Sequence, residues 1–222
     1  IKTNIDGSES VINAAIERKV KKVVALSTDK ACNPINLYGA TKLSSEKLFT
    51  NANQYSNFTK FCVVRYGNVI GSRGSVIPFF HSLLKQKKTL PVTSKEMTRF
   101  FIPILDATKF VLNSLKNSSG GEIFIPKMNS IKIIDLIKLL DAKAKIKITG
   151  IRPGEKVHES LFSIDEARIV NQDKNSYIIY SEYLNYKKKY GKKLSKQIAY
   201  TSSNKELLNI DKIKYFLKSY LR

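Results

Sequence analysis

The fold of this chain is decided by residues 26–42, which read Leu26-Ser27-Thr28-Asp29-Lys30-Ala31-Cys32-Asn33-Pro34-Ile35-Asn36-Leu37-Tyr38-Gly39-Ala40-Thr41-Lys42. An apolar run at 23–26 leads into this stretch, and its lack of polar alternation is typical of a parallel strand buried on both faces. Pro34 is tolerated shortly before a helix, and residues 37–54 suit one. A second apolar strand at 61–66 completes a βαβ unit, so we predict an α/β fold with a parallel sheet.

Outward from this unit, hydrophobic periodicity predicts further helices and strands. Residues 5–19, ahead of it, suit a helix. Beyond it we expect helices at about 75–87, 104–117 and 130–141, strands near 89–92, 98–103 and 121–125, shorter elements after 150 and a last helix at about 207–221.

The composition is that of a globular protein. With 222 residues, 42% of them hydrophobic, the chain is long enough for one domain or one and a half. No run approaches the ~20 apolar residues that cross a bilayer, and the first ten residues lack the layout of a signal peptide, so we expect a cytoplasmic protein with no membrane partner. Cys32 and Cys62 are too few for a disulfide framework and have no His or Cys neighbour at metal-ligand spacing, so no metal site is expected.

The formal charge of +21 raises the question of nucleic-acid binding, because a pI near 9.9 is typical of such proteins. Only seven of the 39 basic residues are Arg, and the Lys residues are spread along the whole chain. A dedicated binder more often clusters Arg with exposed aromatic residues. The densest basic segment, residues 186–193, suits a solvated loop, so we expect an anionic small-molecule ligand and no nucleic-acid partner.

Reactive side chains follow the first strand, at the end where open α/β sheets bind ligands. Tyr38 and Lys42 are four residues apart and therefore share one face of a helix. A nearby ammonium favours the phenolate form of a tyrosine, which then serves as a base. Thr28 is placed to hold a substrate hydroxyl against Tyr38. Asp29 and Lys30 suit an acid and base pair, although the same two residues also suit a surface turn.

With these residues in place, the chain resembles the extended short-chain dehydrogenase/reductases, whose catalytic group is Ser or Thr with Tyr-x-x-x-Lys. Within that superfamily it is similar to the inverting UDP-N-acetylglucosamine 4,6-dehydratases, the first enzymes of pseudaminic acid and related sugar pathways. The similarity covers essentially the whole chain and is carried by STDKACNPINLYGATKLSSEKLF, VVRYGNVIGSRGSVIPFF, MTRFFI, GGEIFIPK and GIRPGEKVHE.

This resemblance implies an internal redox cycle that uses NADP, with Tyr38, Lys42 and Tyr66 at the cofactor. Tyr38 would take the proton of the sugar 4-hydroxyl, Lys30 the proton of carbon 5, and Asp29 would protonate the hydroxyl leaving carbon 6. Carbon 5 would then be reprotonated from the opposite face. The glucose-nucleotide dehydratases carry Thr-Asp-Glu here and the membrane-anchored retaining relatives typically carry Met at the position of Tyr38, so both positions favour the inverting N-acetylglucosamine branch.

The resemblance also implies a UDP-sugar site. Arg99 and Arg152 match the positions that hold the diphosphate, for which a planar guanidinium is well suited. Glu155 matches the residue at the ribose hydroxyls, and Asn68 matches a contact to the sugar nucleotide. Arg73 is a weaker candidate for the same pocket.

The chain departs from the family pattern in one respect. A dinucleotide fold needs a Gly-rich turn after its first strand, and the glycines at 67, 71 and 74 match the family's substrate loop instead. We therefore expect the C-terminal part of an NADP-binding Rossmann fold, without an N-terminal part on the order of a hundred residues. Residues 1–72 would be the Rossmann portion, and residues 73–222 mainly a smaller α/β substrate-binding domain, with some segments returning to the Rossmann core. When complete, the protein would be a homo-oligomer.

Two other functions stay open on the sequence alone. A UDP-sugar 4-epimerase of the same superfamily would use Thr28, Tyr38 and Lys42 but has no need for Asp29 and Lys30. A non-catalytic basic module on a decayed dehydrogenase scaffold would use its lysine surface for RNA or anionic membranes.

Overall fold

The described part of the chain contains six α-helices and thirteen strands. The structure is a computed structural model that describes residues 1–72, 74–186 and 189–220. The helices are α1 (Asp6–Glu17), α2 (Leu37–Asn51), α3 (Val76–Lys85), α4 (Ile104–Asn117), α5 (Ile133–Leu140) and α6 (Ile210–Tyr220). The strands are β1 (Lys22–Thr28), β2 (Lys60–Tyr66), β3 (Asn68–Val69), β4 (Leu90–Val92), β5 (Thr98–Ile102), β6 (Ile123–Pro126), β7 (Asn129–Lys132), β8 (Ile146–Ile148), β9 (Ser160–Phe162), β10 (Val170–Gln172), β11 (Ser176–Ile179), β12 (Lys192–Lys193) and β13 (Tyr200–Thr201).

The βαβ unit predicted from residues 23–66 is confirmed. β1 and β2 pair in parallel from Lys22↔Lys60 to Thr28↔Tyr66, and α2 connects them. A 3-10 turn, Asp29–Ala31, follows β1 directly. The chain thus turns sharply at the carboxyl end of β1, where the sequence predicts reactive side chains.

Contacts divide the chain into two units. Unit 1 comprises residues 1–66, 108–127 and 160–200, and unit 2 comprises residues 67–107, 128–159 and the described residues from 201 onward. Each unit therefore contains segments that are far apart in sequence. The assignment of residues 1–72 to cofactor binding and of residues 73–222 mainly to substrate binding stays a prediction.

Unit 1 is built on a six-stranded sheet in the order β1-β2-β6-β11-β10-β12. β1, β2 and β6 are parallel, and the remaining pairings are antiparallel. The five inner residues of β2 are all buried, as expected for a strand covered on both faces. A cluster on this sheet contains Cys62, Val64, Phe124, Ile178 and Tyr180.

β1 is less buried than its sequence predicts. The run at 23–26 suggests a strand covered on both faces, yet its residues are only partly buried and Leu26 is 48% exposed. The reason is its position, because in the part of the chain that the structure describes β1 pairs with β2 alone and forms the edge of the sheet.

Unit 2 contains a three-stranded sheet, β3-β5-β7, and the parallel pair β4-β8. Helices α3, α5 and α6 contribute to its core, which includes Ile77, Phe80, Leu136, Ile137 and Ile213. The predicted helix at 130–141 begins only at Ile133, because residues 129–132 form β7 and pair antiparallel with β5. The last helix begins at Ile210 rather than 207, after a 3-10 turn at Lys205–Leu207.

Candidate active site

The turn after β1 carries three hydrogen-bonded residues of unit 1. The Thr28 hydroxyl accepts from the backbone N–H of Lys30 at 3.4 Å and donates to Asp29 Oδ1 at 2.9 Å. Thr28 therefore caps the 3-10 turn while holding the Asp29 carboxylate. The sequence predicts Thr28 as a partner for a substrate hydroxyl, and the structure shows its own proton directed at Asp29.

Asp29 and Lys30 form an ion pair with Lys30 Nζ 3.0 Å from Asp29 Oδ1. The Asp29 side chain is 1% exposed, whereas that of Lys30 is 35% exposed. Among the residues that the structure describes, no hydrogen-bond partner reaches Asp29 Oδ2, which is also buried. Buried polar atoms are nearly always paired, so this oxygen is well suited to receive a ligand hydroxyl.

Helix α2 begins directly beside this turn. The Asn36 side chain accepts from the Gly39 N–H at 2.8 Å and caps the helix. A Cβ at Gly39 would lie 2.3 Å from the carbonyl oxygen of Lys30, so only glycine allows the first turn of α2 to approach so closely. Gly39 thereby brings the helix that carries Tyr38 against the Asp29–Ala31 turn.

Tyr38 and Lys42 lie one turn apart on α2, as predicted. Tyr38 is 52% exposed. Lys42 Nζ donates to the carbonyl oxygen of Leu26 in β1 at 2.7 Å, which ties the helix to the strand. Burial lowers the pKa of Lys42, and the nearby carboxylate of Glu46 opposes that shift. Lys42 therefore loses its proton more readily than an ordinary lysine.

Tyr66, the third residue predicted at the cofactor, ends β2. It pairs in register with Thr28 on the neighbouring strand, and burial raises the pKa of its phenol. The structure thus brings five of the predicted residues of unit 1, Thr28, Asp29, Lys30, Tyr38 and Lys42, around one strand end, with Tyr66 beside them on the next strand.

In unit 2, a cavity of about 350 Å³ is lined by four predicted substrate residues. They are Asn68, Arg99, Arg152 and Glu155. Within the described part of the chain, Asn68 Oδ1 and Glu155 Oε2 are buried without a hydrogen-bond partner. Arg73, the fifth prediction, lies outside the described residues.

Arg99 is firmly held by its own unit. One terminal nitrogen donates to the carbonyls of Thr98 at 2.7 Å and Val157 at 3.0 Å, and the other donates to that of Lys156 at 2.8 Å. Glu155 Oε1 lies 3.7 Å from the same guanidinium. Arg152, by contrast, is exposed. Arg99 therefore orders the 155–157 segment, and its role as a diphosphate ligand stays a prediction.

The apolar wall of this cavity was not predicted. It is formed by Val76, Phe79, Phe80, Pro91, Val92, Met97 and Ile133, with Thr93 as a further polar residue. An apolar wall beside Asn68 and two arginines suits a ring attached to an anionic group. The hydrophobic run VIPFF was the available signal, but its periodicity equally indicates the core face of a helix.

A second cavity, of about 480 Å³, lies in unit 1 and contains none of the predicted residues. Its charged lining residues are Asp173 and Lys174, and the Asp173 carboxylate accepts from the N–H groups of Asn175 and Ser176 and from the Ser176 hydroxyl. Nothing in this cavity resembles a set of converging catalytic groups.

The described residues include no cluster of His, Cys, Asp and Glu that would hold a metal ion. No described helix combines the length and the hydrophobicity required to span a bilayer.

The sheet and its strand-end turn define a class of protein. An α/β chain with Thr-Asp-Lys after one parallel strand and Tyr-x-x-x-Lys on the next helix has the Rossmann-type fold of the extended short-chain dehydrogenase/reductases. A solved structure described as Pen from Bacillus thuringiensis has this fold, with a TM-score of 0.88 and 36% identity over 98% of this chain and 68% of that one. A dTDP-glucose 4,6-dehydratase of Streptomyces venezuelae with NAD bound matches at a TM-score of 0.63 and 20% identity, over 72% of this chain and 56% of that one, which shows the shared fold.

The chain belongs to the polysaccharide biosynthesis protein family, whose profile matches residues 1–181. It is 54% identical over 182 residues to the inverting UDP-N-acetylglucosamine 4,6-dehydratase of Campylobacter jejuni, covering 81% of this chain and 54% of that protein. It is 41% identical over 228 residues to a UDP-glucose 4-epimerase of Rickettsia canadensis, covering 98% of this chain and 67% of that protein. The chain thus spans about half the length of the Campylobacter relative.

Proposed function

We propose that this chain is the catalytic and substrate-binding part of an inverting UDP-N-acetylglucosamine 4,6-dehydratase that uses NADP. The observation that carries the proposal is the Asp29–Lys30 pair, joined at 3.0 Å beside the Tyr38–Lys42 helix, with one buried carboxylate oxygen unpartnered among the described residues. The 54% identity to the Campylobacter jejuni dehydratase supports it. By the same resemblance, we propose a cytoplasmic homo-oligomer that supplies pseudaminic acid or a related sugar.

The residues around the end of β1 fit the nicotinamide ribose end of such a cofactor. Lys42 gives one N–H to Leu26 O and has two further N–H groups for ribose hydroxyls. Leu26 and Tyr38 are both about half exposed and offer apolar surface for a flat ring. The NAD-bound dehydratase of the same fold supports a nicotinamide cofactor in general, and the choice of NADP rests on the family resemblance. The cofactor, when bound, supplies a reversible acceptor for hydride.

In the proposed reaction, Tyr38 removes the proton of the sugar 4-hydroxyl while carbon 4 loses a hydride and becomes a ketone. The cationic form of Lys42 favours the phenolate that this step needs. The ketone makes the hydrogen on carbon 5 acidic, and Lys30 removes it as a proton. Asp29 protonates the 6-hydroxyl, which leaves as water. Hydride returns to carbon 6, and a proton added to the opposite face of carbon 5 gives the inverted 4-keto-6-deoxy sugar.

The Asp29–Lys30 hydrogen bond gives the proposed acid and base a direct path for one proton. In the ion pair, Asp29 is a carboxylate and Lys30 an ammonium, which is the wrong form of each for the proposed step. A single proton shift from Lys30 Nζ to Asp29 gives a neutral amine and a neutral acid. A substrate that covers Lys30 removes water from it, and desolvation favours the neutral pair over the ion pair.

The cavity of unit 2 is proposed to hold the UDP group. Arg152 is exposed and supplies a planar fork for the diphosphate, with Arg99 as a second donor. Glu155 Oε2 and Asn68 Oδ1, buried and without partners among the described residues, can accept from the ribose and sugar hydroxyls. The apolar wall suits the base.

A UDP-sugar 4-epimerase is the second candidate, because the Rickettsia canadensis relative with 41% identity carries that name. An epimerase would use Thr28, Tyr38 and Lys42, and a buried acid paired with Lys30 would have no chemical role in it. The position and burial of Asp29 therefore favour the dehydratase.

Product mass distinguishes the two functions. The polypeptide expressed from the complete reading frame would be incubated with UDP-N-acetylglucosamine and NADP in deuterated water. We expect a product that carries one solvent deuterium at carbon 5 and that, after the mass of this deuterium is allowed for, is lighter than the substrate by one water. A product of unchanged mass, without deuterium, would support the epimerase and overturn the proposal.

A further inference from the structure

Arg65 is fully buried in β2, and every N–H of its guanidinium is used. Nε donates to Glu46 Oε1 at 2.9 Å and one terminal nitrogen donates to Glu46 Oε2. Glu166 accepts from both terminal nitrogens at 3.0 Å, and the remaining N–H goes to the carbonyl of Leu161 at 2.9 Å. Glu46 and Glu166 therefore each accept two hydrogen bonds from the Arg65 guanidinium. Such bidentate pairs fix the orientation of the guanidinium as well as its distance from the carboxylates.

One side of this cluster belongs to the helix that carries the proposed base. Glu46 lies on α2, four residues beyond Lys42 and therefore on the same face of the helix. Through Glu46, Arg65 fixes the rotation of α2 about its axis. That rotation decides where Tyr38 and Lys42 point.

The other side reaches the Asp29–Ala31 turn. Glu166 Oε2 accepts from the Cys32 thiol at 3.8 Å, and the N–H of Cys32 donates to the carbonyl of Asp29 at 3.3 Å. Glu166 is itself held by the N–H of Ser163 at 3.0 Å. Arg65 thus connects two elements: it reaches α2 through Glu46, and it reaches the Asp29–Ala31 turn through Glu166.

Stability alone gives little reason for this arrangement. Buried ion pairs add little net stability, because apolar residues of the same volume pack as well without the desolvation cost. The cluster also carries one more negative than positive charge, since two carboxylates face one guanidinium. Two nearby cations interact with this excess charge, Lys42 with the Glu46 carboxylate and Lys47 with that of Glu166.

We propose that Arg65 is a positioning residue, which through Glu46 and Glu166 holds the Tyr38–Lys42 helix and the Asp29–Lys30 turn in one fixed arrangement. Its catalytic meaning rests on the function proposed above, whereas the arrangement itself does not. Arg65 touches no reacting atom in this account and acts through the residues that it holds.

The test uses Arg65→Lys and Arg65→Met, with Val64→Ala as the control. Lysine keeps the charge but loses the fork, and methionine loses both. Val64 is also fully buried in β2, but it points to the opposite face, so its truncation destabilises the same strand without touching the cluster. Acetylation of Lys42 and Lys30 in this chain would be followed by peptide mass spectrometry across pH, with Lys132 of unit 2 as an internal reference.

If a substitution at Arg65 releases α2 and the Asp29–Ala31 turn, the Lys42–Leu26 and Lys30–Asp29 hydrogen bonds would open more often. We expect both lysines to be acetylated about threefold faster or more in Arg65→Lys, at temperatures where the variant is folded, because local opening exposes them. Val64→Ala should leave both rates unchanged at an equal loss of thermal stability. Equal rates in Arg65→Lys and Val64→Ala would overturn the proposal.

Arg65→Met is the variant at risk of not folding, because it removes the cation that faces the buried carboxylate of Glu46 and the partly buried carboxylate of Glu166. In that case Glu166→Gln replaces it, since the amide keeps the shape and lacks the charge. The same faster labelling is expected there, and wild-type rates would contradict the proposal. None of these measurements needs turnover, so a failure of the dehydratase assignment would appear only in the product assay and a failure of this inference only in the labelling.

Discussion

At the residue scale, the buried carboxylate of Asp29 is the most specific chemical feature of the chain. The sequence alone indicates that Asp29 lies beside Thr28 and Lys30, because all three residues are contiguous. The burial of Asp29 and the hydrogen bond from Thr28 could not be predicted, since both depend on how the turn packs under α2. The internal hydrogen bonds of Arg99 and Arg65 could not be predicted either, because most of their partners lie about 20 to 100 residues away along the chain.

Replacing Asp29 by Asn tests the proposed acid. The amide keeps the shape but cannot deliver a proton, so loss of water should slow by at least about 100-fold, the usual contribution of a general acid. KM for UDP-N-acetylglucosamine should be unchanged. Steady-state kinetics of the polypeptide from the complete reading frame measures both, with the exposed Asp106→Asn as charge-matched control. A wild-type rate in Asp29→Asn would contradict the assignment.

Replacing Arg152 by Met separates ligand binding from internal structure. Because Arg152 is exposed, we expect its loss to leave thermal stability unchanged and to weaken UDP binding roughly tenfold or more, as for one charged hydrogen bond. Arg99→Met should instead lower the melting temperature, since three backbone carbonyls each lose one donor. Titration calorimetry with UDP and thermal melts measure the two effects. Arg168→Met, an exposed arginine of unit 1, is the control, and equal UDP affinity in Arg152→Met and Arg168→Met would refute the assignment.

At the element scale, the six helices and the strands β1, β2, β4, β5 and β6 follow from hydrophobic periodicity, and the βαβ unit is predicted closely. β7 was not predicted, because the apolar residues that follow it suit a helix and the predicted helix was extended over it. Only pairing with β5 keeps residues 129–132 extended. The close approach of α2 to the Asp29–Ala31 turn could not be predicted either. It depends on a backbone contact at Gly39 that no periodic pattern records.

Gly39→Ala is the sharpest test of that contact. The added Cβ would meet the Lys30 carbonyl at 2.3 Å, so one of the two elements must shift. We expect a loss of about 1–3 kcal/mol, the usual cost of overpacking, together with loss of activity. Gly7→Ala in α1 is the matched control, because its nearest neighbour, Lys2 O, lies at an ordinary 3.4 Å. That variant should gain up to about 1 kcal/mol from better helix propensity. Chemical denaturation measures the free energy of unfolding of both variants. Equal stabilities of Gly39→Ala and Gly7→Ala would show that the Asp29–Ala31 turn can shift without cost.

At the scale of the whole molecule, we expect His158 to make the stability of the chain depend on pH. Burial first, and then the charge of Arg99, lower the pKa of His158, while Glu96 opposes and Lys132 adds to the shift. The unfolded chain therefore binds the proton more tightly than the folded one. The contribution is complete above the unfolded pKa of about 6.5 and is lost as pH falls from there toward the folded pKa.

We accordingly expect the denaturant concentration at the midpoint of unfolding to decrease when the pH is lowered from about 7.5 to about 5.5. The decrease should be smaller in His158→Gln. The Thr98 hydroxyl, 2.8 Å from His158 Nδ1, keeps a partner in that variant if the glutamine reaches it. His81→Gln is the control for loss of a histidine. An equal pH dependence in the wild type and His158→Gln would exclude His158 as the source.

The interleaving of the two units governs how the protein emerges during synthesis. β2 ends at Tyr66, but the strand on its far side, β6, begins only at Ile123, and β11 follows at Ser176. At about 5–20 residues per second, a ribosome needs on the order of ten seconds to deliver all three. For part of that time β2, whose five inner residues are buried in the folded sheet, has no second neighbour, so co-translational holding factors have a defined and predictable segment to shield.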